Sequence, residues 1–455
     1  MESQQFVLTA PRLQVRSFGL KLIIICGLAL LMGIPAIFVG VLIADRTGRA
    51  QDVVREIAGT VGGQQTFLGP VLAVPYETAG DDKKQKWDVE VIYPERGDAK
   101  VKTATEVRHR SLFKVPVYQS ELQFESSFDL TAALGRFPKG AVPDWSRAEL
   151  IVGASDARGA LADATVTTAA GSQTLAPASN LNCVRFDAEK GRSLCFFGAR
   201  AALSDTALGK FDARASMRFS GAQRVAVLAF AKTTNIEITG DWQNPSFDGG
   251  FSPVKRDISV QGFDAKWSVP FIARGVQEQG GADSLERLGN TEMGVSFVEL
   301  ADPYQSVNRA VKYVLLFVGL VFLTFFIFEV TTGRRVHPAQ YLLVGVAQII
   351  FYLLLLSIAE RSSFNLGFAI AAVATVGLIS LYAKWVFESN REGVRALAVF
   401  SILYGLIYVL LRLEDQALLV GALSSFIAIA AVMYFTRRID WYGSSQAAEA
   451  PVRAT

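Results

Sequence analysis

The chain has 455 residues and a formal net charge of only +3 at neutral pH. Hydrophobic residues make up 51% of it and charged residues 19%, which is below the roughly 25% of soluble domains. So small a positive excess argues against a nucleic-acid partner, and the apolar composition argues against an ordinary soluble protein.

Residues 22–44 form the first predicted element, a run of 23 residues without a charged side chain. As a helix rising about 1.5 Å per residue it reaches roughly 34 Å, enough to cross a bilayer core of about 30 Å. Because basic residues precede the run, the positive-inside rule leaves residues 1–21 in the cytoplasm. No small-residue cleavage site ends the run, so we predict an uncleaved transmembrane helix rather than a signal peptide.

Residues 45–310 are therefore predicted to form a large periplasmic domain, mainly β and sandwich-like. Residues 49–61 repeat apolar side chains at helical spacing up to Gly62, which predicts that the first helix continues beyond the membrane. An Ala/Thr/Ser-rich stretch at 160–178 is either a mobile loop or an edge hairpin. Strand patterns occur at 105–130, 148–152, 224–230, 235–239 and 257–267.

Cys183 and Cys195 lie in two halves of a predicted hairpin in which positions summing to 378 face each other. Opposed residues in a non-hydrogen-bonded pair lie about 4.5–5.5 Å apart, within disulfide reach. In an oxidising periplasm we favour a Cys183–Cys195 disulfide over two buried free thiols. Cys26 lies inside the first span and is interpreted as a packing residue.

The remainder of the chain predicts five further spans and a cytoplasmic tail. Basic residues gather in two of the connecting loops, around Arg334 and Arg391, and after the last span, around Arg437. All three places are cytoplasmic if six helices are threaded from an inside N-terminus. The fold class is thus membrane α + β, with the β domain inserted between the first and second of six spans. The further spans are 313–330, 341–359, 364–383, 397–411 and 416–435, giving a five-helix bundle at 311–435 and a tail at 436–455.

The charged side chains of these spans lie at helix ends, where we predict that they snorkel to the membrane interface. Ion-coupled carriers usually need charged groups at depth or broken helices, so the sequence argues for a static bundle. The residues concerned are Glu329, Glu360, Lys384 and Arg412.

No catalytic, metal or cofactor site is predicted. The two histidines, His109 and His337, fall on opposite sides of the membrane, so they cannot share one triad or metal site. Ser111 and Lys114 match a Ser-x-x-Lys motif, but in strand-like sequence, where the helical stacking that the motif needs is missing.

Two other patterns allow a binding role but favour a structural one. Asp156 and Arg158 before a Gly more often set a turn than bind a ligand. A set of aromatic residues is interpreted as core or sheet-packing surface in preference to a lipid or glycan groove. The set is Trp242, Phe247, Phe251 and Trp267.

Residues 302–329 are where the domain is predicted to meet the membrane. Arg309 and Lys312 share one helix face. Tyr304 and Tyr313 would anchor the segment at the same depth of the membrane interface. These four residues form either an ordinary interfacial belt or a segment that couples the periplasmic domain to the helices.

Motifs along nearly the whole chain resemble the CreD family of bacterial inner-membrane proteins. The resemblance implies a cell-envelope integrity protein, tied to a two-component regulon and to β-lactam and colicin responses, with no catalytic residues to carry over. The motifs are GPVLAVPY at 69–76, SDARG at 155–159, residues 242–253, GFDAKW at 262–267, residues 302–313, FIFE at 326–329, HPAQYLLVG at 337–345 and FYLLLLS at 351–357.

We therefore expect a non-enzymatic, multi-pass inner-membrane protein with both termini in the cytoplasm. Its periplasmic domain would support envelope integrity and the stress response, with membrane lipids and an unidentified envelope component as partners, no cofactor, and self-association left open. One alternative is transport or presentation of a lipid or other amphiphile, favoured by a continuous apolar groove. A weaker alternative is an envelope hydrolase, favoured by convergent carboxylates in a periplasmic cleft.

Overall fold

The computed structural model describes residues 18–79, 85–110, 113–131, 133–187, 191–201, 203, 209–297, 303–412 and 417–437. Contacts divide the chain into two compact units. A helical unit contains the described residues up to Arg49 and those from Pro303 onward, and a β-rich unit contains those from Ala50 to Phe297.

Ten α-helices are found among the described residues. In chain order they are α1 (Phe18–Leu31), α2 (Gly33–Val61), α3 (Phe271–Arg274), α4 (Asp283–Arg287), α5 (Pro303–Lys312), α6 (Val314–Thr332), α7 (Pro338–Ala359), α8 (Phe364–Val386), α9 (Asn390–Arg412) and α10 (Ala417–Thr436).

The first predicted span is broken at Met32, between α1 and α2. Pro35 causes the break, because it has no N–H to donate to the carbonyl of Leu31. The helical hydrogen-bond pattern resumes at the next residue, since the Ala36 N–H donates to the Met32 carbonyl over 3.2 Å. As predicted, α2 then continues to Val61, and Gly62 ends it in the left-handed conformation (φ +93°).

Five helices of the described residues are long and apolar enough to cross a membrane: 19–61, α6, α7, α8 and α9. The bounds of α6, α7, α8 and α10 agree with those of the predicted spans within three residues, whereas α9 begins at Asn390, seven residues before its predicted start. The count of six spans stays a prediction.

The β-rich unit contains 19 strands among the described residues. They are β1 (Gln65–Ala79), β2 (Gln85–Ile92), β3 (Arg96–Arg110), β4 (Phe113–Asp129), β5 (Val142–Pro143), β6 (Glu149–Ala154), β7 (Thr165–Thr168), β8 (Gly171–Thr174), β9 (Ala176–Pro177), β10 (Val184–Asp187), β11 (Arg192–Arg200), β12 (Lys210–Ala222), β13 (Arg224–Val227), β14 (Thr233–Gly240), β15 (Pro245–Gly249), β16 (Lys255–Ser259), β17 (Gly262–Val269), β18 (Gln279–Gly281) and β19 (Met293–Phe297).

The strands form two sheets that pack around one core. The first has the order β10-β11-β6-β1-β13-β19-β15, with β2 and β5 also paired to β1, β18 to β2 and β9 to β11. The second has the order β16-β17-β14-β3-β4-β12-β7-β8. Phe67 and Ile151 of the first sheet share a buried cluster with Leu122 and Trp267 of the second. The predicted sandwich-like, mainly β domain is therefore observed as two facing sheets.

Several local predictions for this unit are confirmed. Of residues 105–130, 105–110 belong to β3 and 113–129 to β4, and the two strands pair. Within 160–178, β7 and β8 form a hairpin at the edge of the second sheet, so the edge-hairpin alternative is the correct one. Trp267 is buried, and Trp242, Phe247 and Phe251 pack against the same core, which confirms the core interpretation of these aromatics.

Candidate functional sites

The predicted coupling residues lie on and beside α5, a separate short helix. Pro303 starts this helix, and Tyr313 separates it from α6 with non-helical dihedral angles (φ −98°, ψ 4°). Val307 and Ala310 are fully buried, whereas Arg309 is half-buried and Lys312 is exposed. Val307 and Ala310 therefore form the buried side of the helix, whose neighbours are α7 and α9, and Lys312 lies on its exposed side.

Three of the four predicted residues lie on α5, and two of them, Arg309 and Lys312, are three positions apart as expected. Tyr313 is half-buried at the start of α6. Tyr304 belongs to α5, but its side chain lies outside the described part of the structure. A coupling role for this segment stays a prediction.

Glu329 does not snorkel to the interface, so that prediction is wrong for this residue. Only 3% of its side chain is exposed, and it forms an ion pair with Lys21 of α1. Its carboxylate also accepts hydrogen bonds from the Tyr341 hydroxyl (2.9 Å) and from the Val336 backbone N–H (3.1 Å). Burial is tolerated because every contact of the carboxylate is with a cation or a donor.

This buried cluster connects three helices of the helical unit. Lys21 lies in the first turn of α1, Glu329 in the last turn of α6 and Tyr341 in the first turn of α7. Lys21 also donates to the Val336 carbonyl over 2.6 Å, which fixes the connection between α6 and α7. The start of α1 and the end of α6 therefore meet at one end of the bundle.

Two further contacts order the ends of the helices. Arg334, just after α6, pairs with Glu388 between α8 and α9 at 2.7 Å. Asn365, at the start of α8, contacts Arg412 and accepts from the Tyr408 hydroxyl (3.2 Å) at the end of α9. Successive helices α8 and α9 are thus antiparallel neighbours.

The β-rich unit contains an open cleft of about 770 Å³, formed by the ends of β1 and β2 with β18, α3 and α4. Four carboxylates and one guanidinium line it: Asp88, Glu90, Glu278, Asp283 and Arg136. Glu278 pairs with Arg136 and with Lys232, and Asp283 pairs with Arg287 at 2.8 Å. Two carboxylates of the cleft are thereby neutralised.

Asp88 and Glu90 are the two remaining carboxyl groups of the cleft, and neither has an ion-pair partner among the described residues. They lie two positions apart on β2 and so share one face of the strand. Only 5% of Glu90 is exposed. Burial, assisted by the charges of Asp88 and Asp283 and opposed by the Gln279 amide, raises the pKa of Glu90 to about 7.

A family model described as "Inner membrane protein CreD" matches residues 17–442 of the chain. The chain belongs to the CreD family. The inner membrane protein CreD of Escherichia coli (strain K12) is 28% identical over 437 residues, which cover 93% of this chain and 94% of that relative. With the apolar helices described above, this membership makes the chain a multi-pass inner-membrane protein of the bacterial envelope.

Two of the three cysteines of this CreD-family chain are joined in the structure. Cys183 and Cys195 form a disulfide across a sequence separation of 12. The predicted register holds at Val184, which faces Leu194, and slips by one residue at Asp187. Residues 188–190 of the predicted turn lie outside the described residues. Cys26 is a free, exposed cysteine, so its prediction as a packing residue is wrong.

The motifs weighed for chemistry take structural places in the CreD fold. The Asp156 carboxylate accepts hydrogen bonds from the backbone N–H and guanidinium of Arg158 in a short turn, as predicted, and these bonds lower the pKa of Asp156. Lys114 lies on β4, and Ser111 lies outside the described residues. His109 belongs to the β-rich unit, whereas His337 caps α7 in the helical unit.

A second buried charge cluster joins β11, β13 and β15 to the residue before β19. Glu292 accepts hydrogen bonds from Arg192 (2.9 Å), Arg224 (3.2 Å) and the Thr66 hydroxyl (2.7 Å), and Arg224 also donates to Asp248 (2.7 Å). The two cations and two anions neutralise one another, so this cluster stabilises the first sheet. Among the described residues, no group of three or more His, Cys, Asp or Glu side chains could hold a metal ion.

Proposed function

We propose that this chain crosses the inner membrane six times with both termini in the cytoplasm, and that its β-rich domain is inserted between the first and second spans. In this arrangement the domain lies in the periplasm. There it supports envelope integrity and the stress response by binding an envelope component, without catalysing a reaction.

Contacts inside the helical unit support this topology. The Lys21–Glu329 pair puts the start of α1 at the same end of the bundle as the Arg334 segment. The Arg334–Glu388 pair adds the segment between α8 and α9 to that end. An even number of crossings before each of these segments accounts for both contacts, and the positive-inside rule favours the cytoplasm for all of them.

The open cleft of the β-rich unit is the observation that carries the binding role. A concave surface with a few convergent polar groups is the usual form of a ligand site. Here the cleft combines uncompensated carboxylates with the exposed ring of Phe271.

The same cleft makes an envelope hydrolase the second candidate. Glycoside hydrolases use two carboxyl groups, one of them protonated near neutral pH by a raised pKa. Glu90 has the raised pKa and Asp88 is its neighbour on the strand face. Transport or presentation of an amphiphile, which the sequence ranked above the hydrolase, is placed after it here.

A thiol-blocking experiment tests the binding role in cells. The full chain, with Cys26→Ala to remove the free thiol, is expressed in a bacterium that lacks its own CreD, and survival under colicin or β-lactam stress is scored. Phe271→Cys is then labelled with a bulky, membrane-impermeant maleimide. We expect labelling to abolish protection, because it fills the cleft from the periplasmic side.

Val254→Cys is the matched control, since Val254 is 77% exposed and does not line the cleft. Labelling there should leave protection intact. If labelled Phe271→Cys still protects fully, binding in this cleft is not the function. If the purified wild-type protein cleaves envelope glycan and the Glu90→Gln variant does not, the hydrolase candidate replaces the proposal of a binding role without catalysis.

A further inference from the structure

The cleft contains a buried amide, that of Gln279, which lies close enough to Glu90 to oppose the rise in its pKa but makes no hydrogen bond of good geometry. Gln279 lines the cleft from β18 and is only 7% exposed. Neither its amide nitrogen nor its amide oxygen has a hydrogen-bond partner of good geometry among the described residues. A buried polar group without a well-formed hydrogen bond is destabilising, so the position calls for a ligand that both accepts and donates.

The charges around Gln279 determine whether that ligand should be an anion or a cation. Asp88 and Glu90 are uncompensated, whereas the only guanidinium among the described lining residues, that of Arg136, is engaged by Glu278. An anion would face these carboxylates at a cost, and a cation would be attracted by them. The absence of a metal-binding group among the described residues directs the choice to an organic cation.

The walls of the cleft suit a ligand with a carbon skeleton. Phe271 exposes 41% of its surface at the rim, and Tyr76 lines the interior. Aromatic faces attract ammonium groups and pack against the carbon atoms beside them. The volume of about 770 Å³ falls within the range of small-molecule sites.

We propose that this cleft binds an organic ammonium ion that carries neighbouring hydroxyl groups, of the amino-polyol or amino-sugar class. The carboxylates of Glu90 and Asp88 accept hydrogen bonds from the ammonium group. The Gln279 amide donates to a ligand oxygen and accepts from an N–H or O–H group. This inference rests on the proposed function, because it names the ligand class of the cleft to which that proposal assigns binding. It is tested on the purified protein, so its failure can be distinguished from failure of the envelope-integrity role in cells.

The binding should depend on pH through Glu90. Its surroundings include Asp88 on its own strand, Tyr76 on β1, Gln279 on β18 and Asp283 on α4, while Arg136 and Glu278 form an ion pair at the rim. Because the pKa of Glu90 is about 7, its charged form becomes dominant only above that pH. Affinity for an ammonium ligand should therefore rise between about pH 6 and about pH 8.

The test uses D-glucamine, a primary amine on a polyol chain, and sorbitol, its neutral counterpart. Binding to the full-length protein in a neutral detergent is measured by calorimetry. We expect saturable binding of glucamine, weaker by about ten-fold or more in Glu90→Gln, because a charge-assisted hydrogen bond is lost. Gln279→Ala should also weaken binding, and sorbitol should bind at least about ten-fold more weakly than glucamine.

Glu125→Gln is the control, because Glu125 is an exposed carboxylate on β4 of the other sheet, and it should bind glucamine as the wild type does. The inference is overturned if glucamine shows no saturable binding, if sorbitol binds equally well, or if Glu90→Gln and Glu125→Gln bind alike. Circular dichroism of each variant verifies that the fold is retained. If Glu90→Gln does not fold, the comparison of glucamine with sorbitol on the wild-type protein decides whether the inference holds.

Discussion

The buried pair between Lys21 and Glu329 allows a prediction with a definite magnitude. Lys21→Met removes the cation and leaves Glu329, only 3% exposed, with two donors, the Tyr341 hydroxyl and the Val336 N–H. Removing one partner of a buried ion pair costs about 3–5 kcal/mol. Because two hydrogen bonds remain, we expect a loss near the lower end, about 3 kcal/mol.

The double variant Lys21→Met with Glu329→Gln should recover part of this loss. The Gln amide is neutral, so no buried charge is left uncompensated, and its oxygen still accepts from Val336 or Tyr341. We expect a residual loss of about 1–2 kcal/mol relative to the wild type. Lys384→Met is the control for replacing an exposed lysine by an apolar residue in the same unit.

Thermal stability of the detergent-solubilised protein provides the assay. The fraction that remains monodisperse after heating is followed by size-exclusion chromatography. At about 2–4 °C per kcal/mol, Lys21→Met should lower the midpoint by roughly 6–12 °C and Lys384→Met should not. The reasoning is refuted if Lys21→Met is as stable as the wild type, or if the double variant is no more stable than Lys21→Met alone.

Three further predictions concern the disulfide, the basic helix and the buried carboxyl of the cleft. Replacing Cys183 and Cys195 by Ser should destabilise the β-rich unit to urea by about 3 kcal/mol under non-reducing conditions, whereas two cysteines freely alkylated in periplasmic protein would contradict the disulfide. Replacing Arg309 and Lys312 together by Gln should abolish protection under envelope stress at normal abundance if α5 couples the domain to the bundle, and full complementation would leave only an interfacial belt. The raised pKa of Glu90 means that its neutral form stabilises the fold below its unfolded pKa and that this stabilisation is lost as the pH rises through about 7. Glu90→Gln should therefore gain up to about 3 kcal/mol of stability over the wild type between about pH 4 and about pH 8, and a gain that does not change with pH would contradict the assignment.

The sequence predicted the elements better than their contacts. The run at 22–44 and the periodicity at 49–61 predicted one long helix, and only the break caused by Pro35 was missed. The hairpin register around Cys183 followed from counting residues across a turn. Such features are local, so they can be read from a short window of sequence.

The polar sites depend on residues far apart in the chain, and this is why they were missed. Lys21 and Glu329 are separated by 308 residues, although six-span threading puts the start of the first span and the end of the second at the same level with opposite charges. Opposite charges at the same predicted membrane level were the sequence signal from which this ion pair could have been predicted. For the cleft, the pair Asp88 and Glu90 on one strand face was visible, but Gln279 is added by a strand that pairs with β2 from almost 190 residues later.

The side of the membrane on which the β-rich domain lies is the central claim of this account, and reporter fusions measure it directly. Alkaline phosphatase inserted within residues 80–86 should be active, because the enzyme folds in the periplasm. Green fluorescent protein fused after Gly333, Ser389 or Tyr442 should fluoresce, because it folds in the cytoplasm. An inactive phosphatase at 80–86 together with fluorescence from the same site would put the domain in the cytoplasm and contradict the account.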